Sequence, residues 1–216
     1  MVAAREARQE AKRAQIRDAA QRLFLDQGYA ATSMDAVTAA AGVSKQTVYV
    51  YYPSKRALFA DVLEQASVGH PEFQALDYLR TAHPASRAEL QEVLTQLAQR
   101  VLQTMLQPEY ISLLRALIPE VRSHPELGEL FREVVARRSL QSVGQLLEDA
   151  AHRGIIGQVD TDAAARLFVG PILTYLILDG LLSAREPAQQ PDAASIESIV
   201  ALVVAALPPL QPPTDR

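Results

Sequence analysis

The chain has no cysteine among its 216 residues. Disulfides, thiolate metal sites and cysteine nucleophiles are therefore excluded, and the composition fits a reducing compartment. Its four histidines, His70, His83, His124 and His152, are scattered and show no H-x-x-x-H or H-E-x-x-H spacing. A histidine-based metal centre needs such spacing, so none is expected. No glycine-rich phosphate loop occurs, because Gly154 and Gly157 follow a helical pattern with no strand before them. Alternating apolar and polar residues, the mark of a half-buried strand, are almost absent. The opening MVAAREARQEAKRAQ lacks the apolar core of a signal peptide. The longest apolar run, Leu167 to Leu182, falls short of the ~20 residues of a membrane span and contains Pro171 and Asp179. The cytoplasm is the expected compartment. Carboxylate pairs occur only as on any acidic surface, so neither an enzyme nor a cofactor is expected.

What the chain does have is apolar residues, 49% of the total, enough for a real core. The net charge of −4 conceals an asymmetry. Residues 1–56 hold nine Lys/Arg against five Asp/Glu, and residues 57–216 hold twelve against twenty. A small basic module that meets a polyanion, carried by an acidic body that does not, is the physical reading.

Helical spacing dominates. Ile16, Ala19, Ala20, Leu23 and Phe24 form one stripe, closed by Gly28. Met34, Val37 and Ala41 form a second, stopped by Gly42, and Leu58, Phe59, Val62 and Leu63 another. Leu90 to Val101 gives a long helix ending before Pro108, and Leu113, Leu114 and Leu117 continue after it. Leu127, Leu130, Phe131 and Val134 open a helix that runs to Gly154. Segments 161–183 and 193–207 are apolar around most of their circumference. The expected fold is all-α, with about nine helices and no repeat. The expected organisation is a basic extension over 1–14, a three-helix unit over 15–60, a helical body over 61–207, and a disordered tail over 208–216.

Residues 33–52 have the anatomy of a helix-turn-helix. Thr32 or Ser33 caps a short helix that Gly42 breaks; Ser44 caps a second, which Pro53 stops. Such a unit lays its second helix in the major groove of DNA. Lys45 and Lys55 each follow a serine, which puts a cation at the first position of two helices. The helix dipole disfavours this by ~0.3–1 kcal/mol per charge, and an external phosphate would compensate it. In a helix over 44–52, Val48 and Tyr52 share the face that meets the preceding helices. Tyr49 and Tyr51 then point outward to phosphates, and Gln46, Thr47 and Val50 face base edges. Gln pairs with adenine and Thr or Val touches a thymine methyl.

The run from Ile16 to about Leu63 resembles the DNA-binding domain of TetR/AcrR-family transcriptional repressors. The matching elements are Ala19-Ala20, Leu23-Phe24, Gly28-Tyr29 with Thr32-Ser33, Ala41-Gly42-Val43-Ser44, and Tyr49 through Tyr52 with Ser54-Lys55. The resemblance implies DNA contacts at Ser33, Lys45, Gln46, Thr47, Tyr49, Val50, Tyr51 and Lys55, to which the cap Ser44 is added. The chain departs from the family pattern at Tyr51, often histidine there, at Tyr52, usually phenylalanine, and at Val50, often larger. The stretch Pro108 to Leu182 is similar to the AefR-like type of C-terminal domain.

The resemblance implies a regulator, expected to be a repressor that binds a near-palindromic operator as a homodimer and is released by a small molecule. A regulator with no small-molecule ligand, or an activator, is the alternative. The dimer is expected through helices about 161–183 and 193–207. Pro119 and Pro171 are expected to bend their helices and open a pocket. Candidate lining residues are Tyr110, Arg115, His124, Phe168 and Tyr175, with Arg115 the best single choice. The basic residues Arg5, Arg8, Lys12 and Arg13 either lengthen the first helix or form a loose arm reaching the minor groove.

Overall fold

The computed structural model describes residues 2–66, 75–185 and 187–209. Every described regular element is helical. There are eleven α-helical segments: α1 (Val2–Ala31), α2 (Met34–Ala41), α3 (Lys45–Tyr51), α4 (Lys55–Ala66), α5 (Ala75–Thr81), α6 (Arg87–Met105), α7 (Pro108–Glu120), α8 (Pro125–Phe131), α9 (Arg138–His152), α10 (Thr161–Tyr175) and α11 (Ala193–Ala206). A π-helical stretch, Arg132–Arg137, joins α8 to α9, and a second, Leu176–Leu181, prolongs α10. Counted as continuous rods these are ten helices among the described residues, against about nine expected.

Capping residues set the boundaries. Ser33, Ser44, Ser86, Asp160 and Asp192 each accept a backbone N–H three residues on, satisfying a donor that the helix itself leaves free. Gly42 ends α2 in the left-handed region at φ 63°. Gly28 interrupts α1 at φ 81° and ψ 168°, so the regular helix stops there and the last turn is offset. Pro119 does not bend a long helix as expected. It lies in the last turn of α7, which ends at Glu120, and a new helix starts at Pro125. A proline can occupy a final turn, but the helix cannot be rebuilt through a second proline six residues later. Pro171 does lie within a helix, and the hydrogen-bond ladder loosens into the π-helical turn beginning at Leu176.

The chain divides into two units. The first comprises 1–66 with 112–134; the second comprises 67–111 with 135–216. Residues 112–134 thus group with the N-terminal segment. In the first unit, α1 packs on α2 and α4, α2 on α3, and α4 on α8. Its core holds Ile16, Ala19, Ala20, Phe24, Val37, Val48, Leu58 and Val62. The rings of Phe24 and Tyr29 both meet Phe59 edge-on, at 4.9 and 5.0 Å between centroids.

In the second unit, α10 lies on α9, and α11 on α6. Leu90, Leu94, Leu97, Phe168, Val200 and Val204 are buried there. Leu167, Leu173, Ile177, Leu178, Leu182 and Leu202 are nevertheless exposed. The rod Thr161–Leu181 has 21 residues and is apolar enough to cross a membrane by length and composition, longer than the run read from the sequence. The expected tail from 208 is held at its start, where the Pro208 carbonyl accepts the Gly157 N–H at 2.8 Å. Residues 210–216 lie outside the described residues.

Candidate nucleic-acid interface

The second and third helices meet as a helix-turn-helix. The turn is Gly42-Val43-Ser44, with the Gly42 and Val43 N–H groups returning to carbonyls of α2. Ser44 Oγ accepts the Thr47 N–H at 3.1 Å and shares a hydrogen bond of 2.7 Å with Thr47 Oγ1. Ser33 plays the same capping part for α2, from Ala36 N at 3.0 Å.

One side of α3 is locked into the protein. Val48 is fully buried and Tyr52 is 1% exposed. The other side is open: Lys45, Gln46, Tyr49 and Val50 are exposed, and Val50, an apolar residue, is 74% accessible. Thr47 and Tyr51 are half-buried at the margins. The sequence-predicted residues from Ser44 to Tyr51 therefore share one short helix, with an outward row of Gln46, Tyr49 and Val50. Ser33 lies exposed at the start of α2.

The two lysines prove to have partners within the protein. Lys45 Nζ lies 2.7 Å from Asp35 Oδ1 on α2, and that carboxylate raises its pKa. Both side chains are open to solvent, so the pair is weak and its lysine remains available to an anion. Lys55 is different. Its ammonium donates to the carbonyls of Tyr29, Ala30 and Thr32 at 2.8, 3.3 and 2.9 Å and sits 4.3 Å above the Tyr29 ring. These carbonyls lie at and just beyond the end of α1, where a helix leaves its last carbonyls without helical donors. Burial lowers the Lys55 pKa, and the charge of Glu120 partly opposes this. The unfavourable placement of a cation at the start of α4 is thus relieved by the end of α1, without any external anion.

Sequence reasoning missed the group that fixes α3. The Tyr52 hydroxyl donates to Asp61 Oδ2 at 2.5 Å. Asp61, on α4, is 7% exposed and also receives Arg13 at 3.3 and 3.4 Å and Arg17 at 3.4 Å. Burial and the Asp61 hydrogen bond together push the Tyr52 pKa up. A signal was present: Asp61 is three residues from Leu58, so it interrupts the inward stripe of α4, and a buried carboxylate needs partners.

The five candidate ligand residues are divided between the two units. Arg115 and His124 belong to the first unit, and Tyr110, Phe168 and Tyr175 to the second. His124 stacks edge-on against Tyr29 at 5.7 Å and contacts Glu126 at 3.2 Å. Arg115 is exposed. Phe168 and Tyr175 line a cavity with Ala98, Leu102, Ile172 and Val200, but its volume is ≈ 10 Å³, about room for one water. Tyr110 is 1% exposed, and its hydroxyl is the buried side-chain group left without a hydrogen-bond partner among the described residues. Burial raises its pKa.

Comparison with known proteins agrees with this geometry. Residues 16–62 match the model for bacterial regulatory proteins of the tetR family, and residues 92–207 match that for the AefR-like transcriptional repressor, C-terminal domain. An uncharacterized HTH-type transcriptional regulator of Mycobacterium tuberculosis is 26% identical over 184 residues, covering 83% of this chain and 81% of its own. The solved structure of the flavonoid-responsive regulator FrrA is 30% identical, with a TM-score of 0.66, covering 94% of this chain and 100% of its own. A TetR-family regulator structure from Mesorhizobium loti is 26% identical, with a TM-score of 0.63, covering 92% and 96%.

Proposed function

Because the chain belongs to the TetR family of DNA-binding transcriptional regulators, we propose that it is a cytoplasmic repressor that binds a near-palindromic operator as a homodimer and is released by a small molecule. The observation that carries the DNA part is the exposed row Gln46, Tyr49 and Val50 on a helix whose opposite side is pinned by Val48 and Tyr52. A valine left 74% accessible contributes nothing to folding, but it suits a thymine methyl in the major groove. Gln46 reads adenine, and Thr47 sits beside it, its hydroxyl shared with Ser44. Ser33, Ser44, Lys45, Tyr49 and Tyr51 meet phosphates. Lys55 acts on the same surface indirectly, by capping the end of α1.

The dimer reading rests on the exposed Leu167, Leu173, Ile177, Leu178, Leu182 and Leu202 along α10, its π-helical end and α11. Six large apolar side chains left open on these helices are better covered than exposed to water. A two-fold dimer presents two α3 helices and so demands a two-fold operator.

The ligand reading is supported by the partnerless Tyr110 hydroxyl and by the name of the 30%-identical neighbour, which describes it as flavonoid-responsive. The alternative is a regulator with no small-molecule ligand, and ligand binding measured on the purified protein separates the two.

Selection of bound DNA from a random pool with the purified protein tests the proposal. Two inverted half-sites about 34–36 Å apart, or a multiple of that, are expected. No enriched motif would reject the DNA reading. A single unpaired half-site, or a monomer at micromolar concentration, would reject the dimer.

A further inference from the structure

The first helix continues well beyond the domain it helps to form. Ile16, Ala19, Ala20 and Phe24 are buried, but between residues 5 and 15 no side chain of α1 is buried. This overhang is helix, not a loose arm. Its charges are sorted by face. Arg5, Lys12 and the fully buried Ala19 are seven residues apart and share one line, with Arg8 beside it. Glu6 and Glu10 lie on another line, with Arg13 and Arg17. There Glu10 approaches Arg17 at 3.8 Å, and both arginines turn to Asp61 on α4.

The basic line points towards the helix-turn-helix. Lys12 Nζ donates to Gln15 Oε1 at 2.8 Å, and Gln15 Nε2 donates to the Ala41 carbonyl at 2.7 Å, the last residue of α2. The next residues are the turn and then the start of α3. Neither Arg5 nor Arg8 has an acidic partner among the described residues. From Lys12 outward, Arg8 and Arg5 stand about 6 and about 10 Å further along the helix axis at 1.5 Å per residue. In a docked helix-turn-helix the start of the second helix enters the groove and the first helix crosses the sugar-phosphate backbone. A helix edge facing that turn and projecting past it runs alongside the backbone.

We propose that Arg5, Arg8 and Lys12 form a second phosphate-binding surface on the overhang of α1, gripping operator DNA outside the groove read by α3. This rests on the reading that α3 docks in the major groove. The surface is sequence-independent: guanidinium and ammonium groups on phosphates add affinity and counterion release but no base discrimination. It also accounts for where the basic excess of residues 1–56 is placed, since the acids of the overhang are kept on the side that faces α4.

The double variant Arg5→Gln/Arg8→Gln in the full chain tests it. Glutamine keeps the helix propensity, and Lys12 is left in place because it holds Gln15. Affinity for the selected operator and for random duplex is measured against salt, beside wild type and Val50→Ala. Each lost phosphate contact lowers the salt slope by about 0.9, so losing both arginines of one head makes the affinity lost between about 50 and about 200 mM salt shrink roughly tenfold. The expected result is that reduction on both DNAs, with unchanged thermal stability. An unchanged slope, with Val50→Ala still weakening operator binding, overturns the overhang surface and leaves the docking of α3 standing. If Val50→Ala is also without effect on the operator, the docking of α3 fails and the overhang surface with it.

Discussion

The Tyr52 hydroxyl lies 2.5 Å from Asp61 Oδ2, joining the end of the recognition helix to the middle of α4. Arg13 and Arg17 of α1 close on the same carboxylate, so one buried charge gathers three helices. A buried carboxylate is tolerable only when paired and hydrogen-bonded. The arrangement fixes where α3 sits relative to its supports.

Replacing Tyr52 by Phe removes one hydrogen bond to a charged acceptor and keeps the ring. The expected cost is about 1.5–3 kcal/mol of unfolding free energy, read by urea titration. Tyr52→Ala also empties a core site and should cost about 3–5 kcal/mol. Asp61→Ala leaves two arginines facing an apolar gap. If Tyr52→Phe proves as stable as wild type, the short contact carries no energy and the geometry of α3 is set by packing alone.

Alkaline pH should expose the same group. The folded-state pKa values of Tyr52 and Tyr110 are both raised, Tyr52 by burial and then the Asp61 hydrogen bond, Tyr110 by burial. Above the unfolded-state value of about 10 the unfolded chain releases these protons while the folded chain keeps them. The unfolded state then binds fewer protons, so stability falls as pH rises. Stability contributed by these hydroxyls is complete below pH ~10 and is lost above it, at up to ~1.4 kcal/mol per pH unit for each tyrosine. Urea unfolding across that range should show the decline, and Tyr52→Phe should make it shallower. An identical decline in the variant would remove Tyr52 from the account.

Lys55 separates a structural cation from a DNA-binding one. Lys55→Gln strips the ammonium from three carbonyls at and just beyond the end of α1, at an expected cost of about 1.5–3 kcal/mol. Its effect on DNA should be a lower operator affinity with an unchanged salt slope, because no phosphate contact is lost. A slope that falls by about one, with stability intact, would return Lys55 to the phosphate surface.

The helices were legible because their caps and stripes are local. Ser33 and Ser44 announce α2 and α3 within a turn, Gly42 ends α2, and Val48 and Tyr52 face inward by spacing alone. What stayed hidden is what joins distant positions. Lys55 meets carbonyls 23 to 26 residues away, and Arg13 meets Asp61 48 residues away. Long flexible side chains choose such partners only once the backbone is built, so local spacing does not encode them. Arg115 and His124 fold into one unit and Tyr110, Phe168 and Tyr175 into the other, a division that spacing along the chain does not mark. Pro119 lies in the last turn of its helix instead of bending a longer one, because the chain restarts at Pro125.

Tyr110 bears on whether a ligand exists. A buried hydroxyl without a partner costs about 1–3 kcal/mol relative to a satisfied one, and an apolar ring of the same shape would avoid that cost. Tyr110→Phe should therefore leave the unliganded protein as stable as wild type or about 1 kcal/mol more stable. A residue retained against stability in this way is well suited to donate to a ligand acceptor in a second conformation. The check is a pair of melts, with and without a candidate effector chosen for an apolar body and one acceptor. The effector should raise the melting temperature of wild type and raise that of Tyr110→Phe less. If Tyr110→Phe is strongly destabilised without any effector, the hydroxyl already has a partner in the resting protein and its role is structural.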